Sequence, residues 1–356
     1  MSALRLAAQR FPVARSSIGR RAFAAPAPPP SQVIDKSYLV QSYPASSFPK
    51  GYSCASLHSG IKKNAQALDM GLFHSSFSTP SKPCAAAGTF TKNAFKASPV
   101  DVSIAVLQAT SGRASTLIVN SGCANAVTGS QGRKDTDQIV GHVNKLIVGK
   151  GEGSASQTLI VSTGVIGQCL PMDKVLPSLP KLHSTLESTP DAWLGLAKAF
   201  MTTDTFPKLR TKEIHLPNAN TTIRIAGIDK GAGMIHPNMG PPAATTPLHG
   251  TLLGLIATDA AIEPKALQNA LTHAVDRSFN AISVDGDMST NDTVVAFANG
   301  ASGMEKEMTE ADEDYIVFRD GLTEFAEELA KLVVRDGEGA TKFVTVTVKV
   351  SHIITG

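Results

Sequence analysis

The chain has 356 residues, of which 42% are hydrophobic and 18% are charged. These proportions are ordinary for a globular protein with one large or two modest domains. The formal net charge is only +3, which argues against a general nucleic-acid-binding surface. No apolar run approaches the roughly 18 residues that a membrane-spanning helix needs, so the sequence gives no indication of a membrane protein.

Much of the positive charge lies at the N-terminus. No acidic residue occurs before Asp35, and the first 21 residues contain serine, alanine and five arginines: Arg5, Arg10, Arg15, Arg20 and Arg21. This composition is typical of a mitochondrial presequence. We therefore predict a presequence at 1–23, a Pro-rich linker at 24–35 and a location in the mitochondrial matrix. The alternative is a disordered basic tail.

The four cysteines form neither a metal-ligand pattern nor a disulfide framework, because they are widely spaced. They are Cys54, Cys84, Cys123 and Cys169. In a reducing compartment we expect them to be small buried residues. None has an obvious histidine partner in the sequence, so a nucleophilic role is not indicated.

Hydrophobic patterns predict strands and helices through most of the chain. Short apolar or β-branched runs predict strands between Ala85 and Asn93, at Ala114–Val119, within Gln157–Gly167, at Thr221–Ile228 and at Lys342–Lys349. Helices are predicted at Val100–Thr110, Arg133–Val148, Pro190–Met201, Pro264–Asn280 and Thr309–Val334. In the last helix, apolar residues recur at steps of three and four, which indicates a core-facing stripe. We expect the single tryptophan, Trp193, to pack in the core.

The stretch Lys230–Ala260 joins a glycine-rich segment to an apolar run. Its first part, KGAGMIHPNM, can bring backbone amides and a cation close to a small bound group. Its last part, TLLGLIATDA, begins at Thr251 and has the length and flanks of a buried strand.

These two segments resemble the ornithine acetyltransferase family, the bifunctional enzymes of the cyclic arginine pathway, which carry a K-G-x-G-M-I-x-P-N-M-A-T-L-L-type stretch. The resemblance runs from about Tyr43 to Lys349 and includes PKGYSCASLHSGIKK, AAAGTFTKNAFKASPV and MTTDTFPK. It implies that the chain cuts itself between Gly250 and Thr251. Thr251 would then be the acetyl-accepting nucleophile.

The sequence departs from the family pattern just before this site, where GPPAATTPLHG separates Met239 from Thr251. The insert contains a second candidate junction, Ala244-Thr245. We prefer Thr251 because TLLGLIATDA continues the family's strand without interruption. The alternative is that the insert is an ordinary Pro-rich surface loop.

An N-terminal threonine can activate itself. A threonine hydroxyl is a poor nucleophile until a base takes its proton. The α-amine of a newly formed terminus has a pKa of roughly 7.7–8.0, so it is partly neutral and can act as that base. His236, in the same loop as Lys230, is then not needed.

The resemblance also implies an oxyanion hole made by Thr163 and Gly164, in the Ser-Thr-Gly of QTLIVSTGVIG. Acetyl transfer passes through a tetrahedral oxyanion, which a hydroxyl and a backbone N–H can stabilise. Asn120 and Asn125, in the turn NSGCANAVTG, either orient substrate amides or cap the following helix.

Substrate-binding roles are implied by the same resemblance for Thr203, Lys230 and Glu338, together with Thr251. Thr202 is the less favoured alternative to Thr203, and a plain turn or N-cap role is the other interpretation. The Lys230 cation would hold a substrate carboxylate, and Glu338 would suit an ammonium group of ornithine.

Four residues of SVDGDMSTND form an acidic cluster that invites a metal-site interpretation: Asp285, Asp287, Asn291 and Asp292. The cluster lacks the full EF-hand spacing and its closing glutamate, and the resemblance implies no metal. We therefore expect turn and capping roles.

The implied fold is α/β, a layered helix–sheet–sheet–helix arrangement of the DmpA/ArgJ type, with an α chain at 36–250 and a β chain at 251–356 that assemble as a heterotetramer. The implied reaction is ping-pong transfer of acetyl from N-acetylornithine to glutamate, with acetyl-CoA as a second donor in many members. No prosthetic group, nucleic acid or membrane is expected. The alternatives are a self-processing aminopeptidase or amidohydrolase and an inactive truncated product.

The end of the chain is shorter than the family pattern. Members continue for on the order of a hundred residues more, including an Asn and a Thr that complete the substrate pocket. We therefore expect poor activity and exposed apolar surface at the last strand. A retained intron beginning at the codon of Val350 is one hypothesis for this ending.

Overall fold

Two β-sheets form the centre of the chain in a computed structural model that describes residues 35–78, 83–148, 156–242 and 252–349. The strands are β1 (Tyr52–Leu57), β2 (Met70–Ser75), β3 (Ala85–Thr91), β4 (Thr116–Cys123), β5 (Thr158–Val165), β6 (Lys208–Leu216), β7 (Thr221–Lys230), β8 (Met239–Gly240), β9 (Leu253–Thr258) and β10 (Thr293–Ala298). One sheet has the order β1-β2-β4-β5 and the other β6-β7-β9-β10-β3-β8. Neighbours are antiparallel except for two parallel pairs, β4 with β5 and β9 with β10.

Helices cover the outer faces of the sheets and close the space between them. They are α1 (Ser98–Ala109), α2 (Gly129–Val148), α3 (Met172–Ser184), α4 (Pro190–Phe200), α5 (Pro264–Arg277) and α6 (Asp314–Arg335). The α5–α6 pair packs on the six-stranded sheet, α2 and α3 pack on the four-stranded sheet, and α1 and α4 each contact strands of both sheets. This arrangement confirms the predicted α/β helix–sheet–sheet–helix fold. Among the helices in the described ranges, none is long and apolar enough to cross a membrane.

The two sheets meet through large apolar side chains. The ring of Phe73 on β2 lies 5.2 Å from that of Phe297 on β10 and 5.7 Å from that of Trp193 on α4. Trp193 is buried, as predicted. Side chains alternate along a strand, so Leu255 of β9 faces this core while Ile256 faces the core under α5 and α6. Burial on both faces explains the continuous apolar run that follows Thr251.

The predicted helix from Thr309 begins five residues later, at Asp314. The carboxylate of Asp312 accepts hydrogen bonds from both the backbone N–H and the hydroxyl of Thr309, each at 2.8 Å. This local turn satisfies the polar groups that a helix would otherwise use. The core-facing stripe of the helix is buried as predicted.

The predicted strand at Lys342–Lys349 is wrong, because these residues adopt no regular secondary structure. Their β-branched residues alternate as in a strand, but the segment pairs with no strand of the described ranges, and a lone strand has no ladder to stabilise it. The expected exposure of apolar surface is found here: Val344, Val346 and Val348 are 73%, 80% and 81% exposed.

Three of the cysteines are buried as predicted, and Cys169 is not. Burial raises the pKa of the Cys54 thiol, and it raises that of Cys84 to about 11, which disfavours the thiolate. Cys169 lies in the exposed connection between β5 and α3, a surface position that its apolar neighbours in sequence did not indicate.

A buried lysine joins the end of α6 to the segment before β6. The Nζ atom of Lys208 lies 2.7 Å from Asp204 Oδ1 and 2.6 Å from Asp336 Oδ2, and none of the three side chains is exposed. Asp336 also accepts a hydrogen bond from the backbone N–H of Thr205 and lies 3.3 Å from Lys36 Nζ. We call Lys208, Asp204 and Asp336 the buried ion cluster.

Charge compensation favours the ionised forms of Asp204 and Lys208. Burial acts to raise the pKa of Asp204, but the ammonium groups of Lys208 and Lys230 outweigh burial and hold that pKa below its usual value. Burial acts to lower the pKa of Lys208, and the carboxylates of Asp204 and Asp336 reverse the effect. Asp229, paired with Lys208 in the β6–β7 ladder, has no hydrogen-bond partner for its carboxyl oxygens in the described residues, and burial raises its pKa well above normal.

We expect Lys208→Met to destabilise the fold by about 3–5 kcal/mol, because removing one partner leaves buried carboxylates without their cation. The control is Lys331→Met, which removes an exposed ion pair with Glu327 and should cost no more than about 1 kcal/mol. Urea denaturation of the two variants and the parent chain measures both values. Equal stability of the two variants would show that the cluster is not an important source of stability.

Candidate active site

The hydroxyl of Thr163 and the ammonium group of Lys230 meet in the space between the two sheets. Thr163 lies on β5, Lys230 ends β7, and Nζ donates a hydrogen bond to Oγ1 at 3.2 Å. Both residues are almost fully buried. A hydroxyl that accepts from a lysine still has its own O–H to donate, and no acceptor for that O–H is found within the described part of the chain. The pair can therefore present a hydrogen-bond donor to a bound group.

Gly164 follows Thr163 with a backbone φ of +128°, which L side chains rarely adopt. A Cβ at this position would lie 2.4 Å from the carbonyl carbon of Gly122 on β4. Only glycine permits this close approach of the two strands. The oxyanion-hole role of Thr163 and Gly164 remains a prediction.

Lys230 is a buried cation. Its ammonium group makes one hydrogen bond within the described residues, to the neutral hydroxyl of Thr163. Burial lowers the pKa of Lys230, and the nearby charge of Lys208 lowers it further. Three acidic residues act to raise this pKa, Asp204 most strongly, followed by Asp292 and Glu338. Acidic groups from three separate segments of the chain therefore act on the ammonium group. A substrate carboxylate would supply the direct partner that Lys230 lacks.

Asp204 links the turn that carries Thr203 to the loop that follows Lys230. Its carboxylate accepts hydrogen bonds from the backbone N–H groups of Thr202 and Gly231, each at 2.9 Å. In this turn Thr202 is half-buried, while Thr203 is exposed.

Glu338 also contacts the loop that follows Lys230. Its backbone N–H donates to the carbonyl of Ala232 at 2.7 Å, and its carboxylate lies against Gly233, where a Cβ would come within 2.7 Å of Oε1. The structure thus brings the segments of all three predicted substrate residues, Thr203, Lys230 and Glu338, to one place.

The predicted cleavage residues Gly250 and Thr251, and the alternative Thr245, lie outside the described residues. The chain is described again from Leu252, which is fully buried. Leu252 donates its N–H to the carboxyl group of Asp292, and its carbonyl accepts from Thr293 N–H at 2.8 Å. Leu253, the first residue of β9, pairs with Lys230 on β7. The strand that follows the predicted cut therefore begins beside the lysine.

Asn291 and Asp292 tie this strand to the strand that carries Thr163. The side-chain amide of Asn291 donates to the carbonyls of Ala124 at 2.7 Å and Ser162 at 2.8 Å. Asp292 binds the N–H of Leu252 through one oxygen, while the other has no partner within the described residues. Burial raises the pKa of Asp292 well above normal, so a neutral carboxylic acid is favoured there.

The acidic cluster of the sequence is thus split between two environments. Asp285 is exposed and accepts hydrogen bonds from the N–H groups of Ile235 at 2.8 Å and Asp287 at 3.0 Å, the turn role that was predicted. Asn291 and Asp292 are buried. In the part of the chain that the structure describes, no three His, Cys, Asp or Glu side chains are grouped to hold a metal ion.

The two asparagines of the NSGCANAVTG turn are used within the protein. The side chain of Asn125 donates to the carbonyl of Gly132 at 3.0 Å and to the hydroxyl of Thr136 at 2.8 Å. Its oxygen accepts from the Thr128 hydroxyl at 2.9 Å, whereas an N-cap would accept from a helix N–H. Asn120 donates to the carbonyl of Cys123 at 2.8 Å. His236 is exposed.

Sequence reasoning missed several residues that position this site. Asp204 and Asp336 each stand within two positions of a predicted substrate residue, in MTTDTFPK and VRDGEGATK, so an acid beside each was a visible signal. Their joint pairing with Lys208 was not visible, because Lys208 and Asp336 are 128 positions apart. Asn291 and Asp292 lay in a segment for which only turn and capping roles were predicted.

Comparison with known proteins connects this site to a family. The sequence matches the ArgJ family over residues 53–353. It is 53% identical over 327 residues to the mitochondrial arginine biosynthesis bifunctional protein ArgJ of Cryptococcus neoformans var. neoformans serotype D (strain JEC21), covering 88% of this chain and 67% of that protein. It is 54% identical over 309 residues to the protein of the same name from Laccaria bicolor, covering 86% and 65%. The chain thus spans about two thirds of the length of these curated relatives.

A solved β-aminopeptidase from Burkholderia sp. shares the fold, with a TM-score of 0.50, 13% identity, and coverage of 83% of this chain and 88% of that one. At this identity the likeness concerns the fold alone. The family match and the relatives above confirm the resemblance inferred from the motifs: the chain belongs to the ArgJ family.

Proposed function

We propose that this protein is an acetyltransferase that moves an acetyl group from N-acetylornithine to glutamate through an ester on Thr251. The observation that carries the proposal is the pairing of Thr163 with Lys230 beside the start of β9. It supplies a hydroxyl donor and a buried cation at the start of β9, where Lys230 pairs with Leu253, two residues after Thr251. The names of the relatives, bifunctional proteins of arginine biosynthesis, support the same activity.

In the proposed reaction the chain first opens at Gly250. The Thr251 hydroxyl attacks the Gly250 carbonyl, and the C–N bond breaks, which frees the α-amine of Thr251. Water then hydrolyses the resulting ester and releases the Thr251 hydroxyl and the Gly250 carboxylate. That amine then takes the hydroxyl proton as Oγ attacks the acetyl carbonyl of N-acetylornithine. The amide C–N bond breaks, and ornithine leaves with the proton. The amine of glutamate attacks the acetyl-threonine and completes the transfer.

The oxyanion formed in each step needs a positioned donor. A hydrogen bond from Lys230 into Thr163 Oγ1 polarises that hydroxyl and strengthens its own O–H as a donor. The backbone N–H of Gly164 is the proposed second donor. Lys230 would also hold a substrate carboxylate, while Thr203 and Glu338 contact the amino-acid part of the substrate.

The two pieces of a cut chain would remain together, because they share one sheet. Strand β9 lies between β7 and β10, and β10 pairs with β3, so residues on both sides of the cut contribute adjacent strands. We propose α (36–250) and β (251–356) chains that pair into a heterotetramer, which native mass spectrometry tests. The basic N-terminus and the mitochondrial names of the relatives support a matrix location, which import of the 1–35 segment fused to a reporter tests.

The activity is tested by incubating the purified chain with N-acetylornithine and with or without glutamate. A transferase forms N-acetylglutamate and ornithine in equal amounts and depends on glutamate. An aminopeptidase or amidohydrolase would instead release ornithine at the same rate without glutamate. Absence of both products would contradict the proposal for this chain.

We expect Thr251→Ala to leave one uncut polypeptide without transferase activity, whereas Thr245→Ala is still cut. The reason is that Thr251 directly precedes the buried strand, while Thr245 lies within the Pro-rich insert. Intact-mass analysis measures the pieces, which should meet at Gly250 and Thr251. Cleavage that persists in Thr251→Ala would assign the nucleophile to another residue.

We expect Thr163→Ala to lower kcat by about 10²–10³-fold, the usual effect of losing one oxyanion donor, with little change in substrate affinity. Thr163→Ser keeps the hydroxyl and is the matched control, which should retain most of the activity. Steady-state kinetics with N-acetylornithine measures both variants. Equal losses in the two variants would indicate a packing role for Thr163.

We expect the KM for N-acetylornithine to rise at alkaline pH. Burial lowers the pKa of Lys230 below its ordinary value of 10.5, so raising the pH removes its positive charge earlier than from a free lysine and weakens the hold on the substrate carboxylate. Lys230→Gln should have a high KM at every pH and lose the alkaline rise. A KM that depends on pH equally in both proteins would assign carboxylate binding elsewhere.

A further inference from the structure

A buried carboxyl group beside the start of β9 has one oxygen without a partner. Asp292 is fully buried and directly precedes β10. One of its oxygens accepts the N–H of Leu252, and the other has no hydrogen-bond partner among the described residues. Buried polar oxygens are nearly always hydrogen-bonded, because an unmade hydrogen bond in the interior costs free energy. The second oxygen of Asp292 therefore favours a further donor.

The polar groups closest to Asp292 in the site have other partners. The side-chain amide of Asn291 donates to two backbone carbonyls. The charged group that acts on Asp292 is the ammonium group of Lys230, and its hydrogen bond goes to Thr163. Neither residue donates to the second oxygen of Asp292.

Cleavage before Thr251 would create a donor at this place. Thr251 is covalently bonded to Leu252, and consecutive Cα atoms are about 3.8 Å apart. Its nitrogen therefore lies close to the N–H that Asp292 accepts. In the uncut chain this nitrogen belongs to the peptide bond with Gly250. After the cut it is an α-amine, which both donates hydrogen bonds and binds a proton, with an ordinary pKa of roughly 7.7–8.0.

We propose that Asp292 positions the α-amine of Thr251 in the cut protein, by accepting a hydrogen bond from it through the oxygen that has no other partner. The inference rests on the proposed function and deepens it, because it names the residue that holds the general base. When the amine takes the proton of the Thr251 hydroxyl it becomes an ammonium group. Lys230 disfavours a second cation nearby, and the Asp292 carboxylate offsets that repulsion.

Only protons move between Asp292 and the amine. Burial raises the pKa of Asp292, so in the uncut chain the neutral acid is favoured. Once the amine forms, that proton passes to the nitrogen and leaves a carboxylate beside an ammonium group. Loss of one proton from this pair gives the neutral amine, which accepts the hydroxyl proton as Thr251 Oγ attacks. The proton then leaves with ornithine, and the carboxylate and the neutral amine are restored.

Two other buried carboxyl groups of this chain show how a nearby cation decides the charge. Burial acts to raise the pKa of Asp204, but Lys208 and Lys230 outweigh it and hold that pKa below its usual value. Asp229 has no hydrogen-bond partner in the described residues, and burial raises its pKa well above normal. We expect Asp292 to behave like Asp229 before the cut and like Asp204 after it.

The test compares the 356-residue chain with Asp292→Asn and Asp229→Asn. Asparagine keeps an oxygen for the N–H of Leu252 but carries no charge, so it cannot stabilise an ammonium group. Asp229→Asn is the matched control, because it makes the same change at another buried carboxyl group without a hydrogen-bond partner. Asp292→Ala is the second variant if asparagine prevents folding.

The pKa of the Thr251 α-amine is measured on the cut proteins. Trace acetylation of the amine by acetic anhydride is followed over a range of pH, with mass spectrometry of the N-terminal peptide of the second piece. The other charged groups around Lys230 are Asp204, Lys208 and Glu338, and both variants leave them unchanged. Steady-state kinetics with N-acetylornithine gives the pH profile of kcat/KM for the same proteins.

We expect Asp292→Asn to lower the pKa of the α-amine by about one pH unit or more, a tenfold change in proton binding. The sign follows because a carboxylate favours the ammonium form, and its loss favours the neutral amine. The acid limb of the kcat/KM profile should therefore move to lower pH. Its plateau should fall about tenfold, because a less basic amine is a weaker general base. Asp229→Asn should keep the amine pKa of the parent.

Several results would overturn the role of Asp292. An amine pKa that is the same in Asp292→Asn and in the parent chain is one of them. An equal decrease in Asp292→Asn and Asp229→Asn is another, because it would show a general effect of altering the interior. A folded Asp292→Asn chain that stays uncut would assign Asp292 to the cleavage step instead.

The role of Asp292 and the proposed function fail in different ways. A cut protein whose amine pKa depends on Asp292, but which transfers no acetyl group to glutamate, supports the role of Asp292 and contradicts the proposed function. Normal transfer, with an amine pKa and a pH profile that do not depend on Asp292, contradicts only the role of Asp292. A parent chain that stays uncut contradicts both, because the amine never forms.

Discussion

The candidate site depends on a single buried ammonium group, that of Lys208, between the carboxylates of Asp204 and Asp336. Two carboxylates cannot stay ionised in a dry interior without a cation. Once the cation is present, each carboxylate has oxygen atoms left for the backbone. Asp204 uses them to hold the turn before β6 and the loop after Lys230, and Asp336 stands at the end of α6, two residues before Glu338. Segments from three parts of the chain are thereby fixed together.

A second constraint acts between the sheets. Asn291 binds β5 at Ser162, the residue before Thr163, and Asp292 binds the first described residue after the predicted cut. These two neighbours in sequence therefore set how β5 and β9 lie relative to each other. Lys230 completes the arrangement by reaching across from β7 to Thr163. The donor, the cation and the start of β9 are held by separate elements, and the proposed oxyanion site would use this preorganisation.

The buried ionisable groups in this region differ in whether a group of opposite charge lies next to them. Asp204 and Lys208 are paired and remain charged, whereas burial without a direct cation partner favours the neutral acid for Asp229 and Asp292. Lys230 lies between these cases, because its only described partner is a hydroxyl. A cation left in this state has free energy to gain from an anionic ligand.

The sequence by itself determined the family, the fold class and most elements, because these follow from local patterns: apolar runs bounded by glycine for the strands, helical spacing for α6, and contiguous motifs around Thr163, Thr203 and Lys230. It failed for Lys342–Lys349, where strand-like alternation finds no neighbouring strand among the residues that the structure describes. Only the tertiary structure decided the partners of Asp204, Asp336, Asn291 and Asp292. Their hydrogen bonds join residues far apart in the chain, and whether a carboxyl group is buried and paired, or exposed in a turn like Asp285, is set by packing that no local pattern encodes.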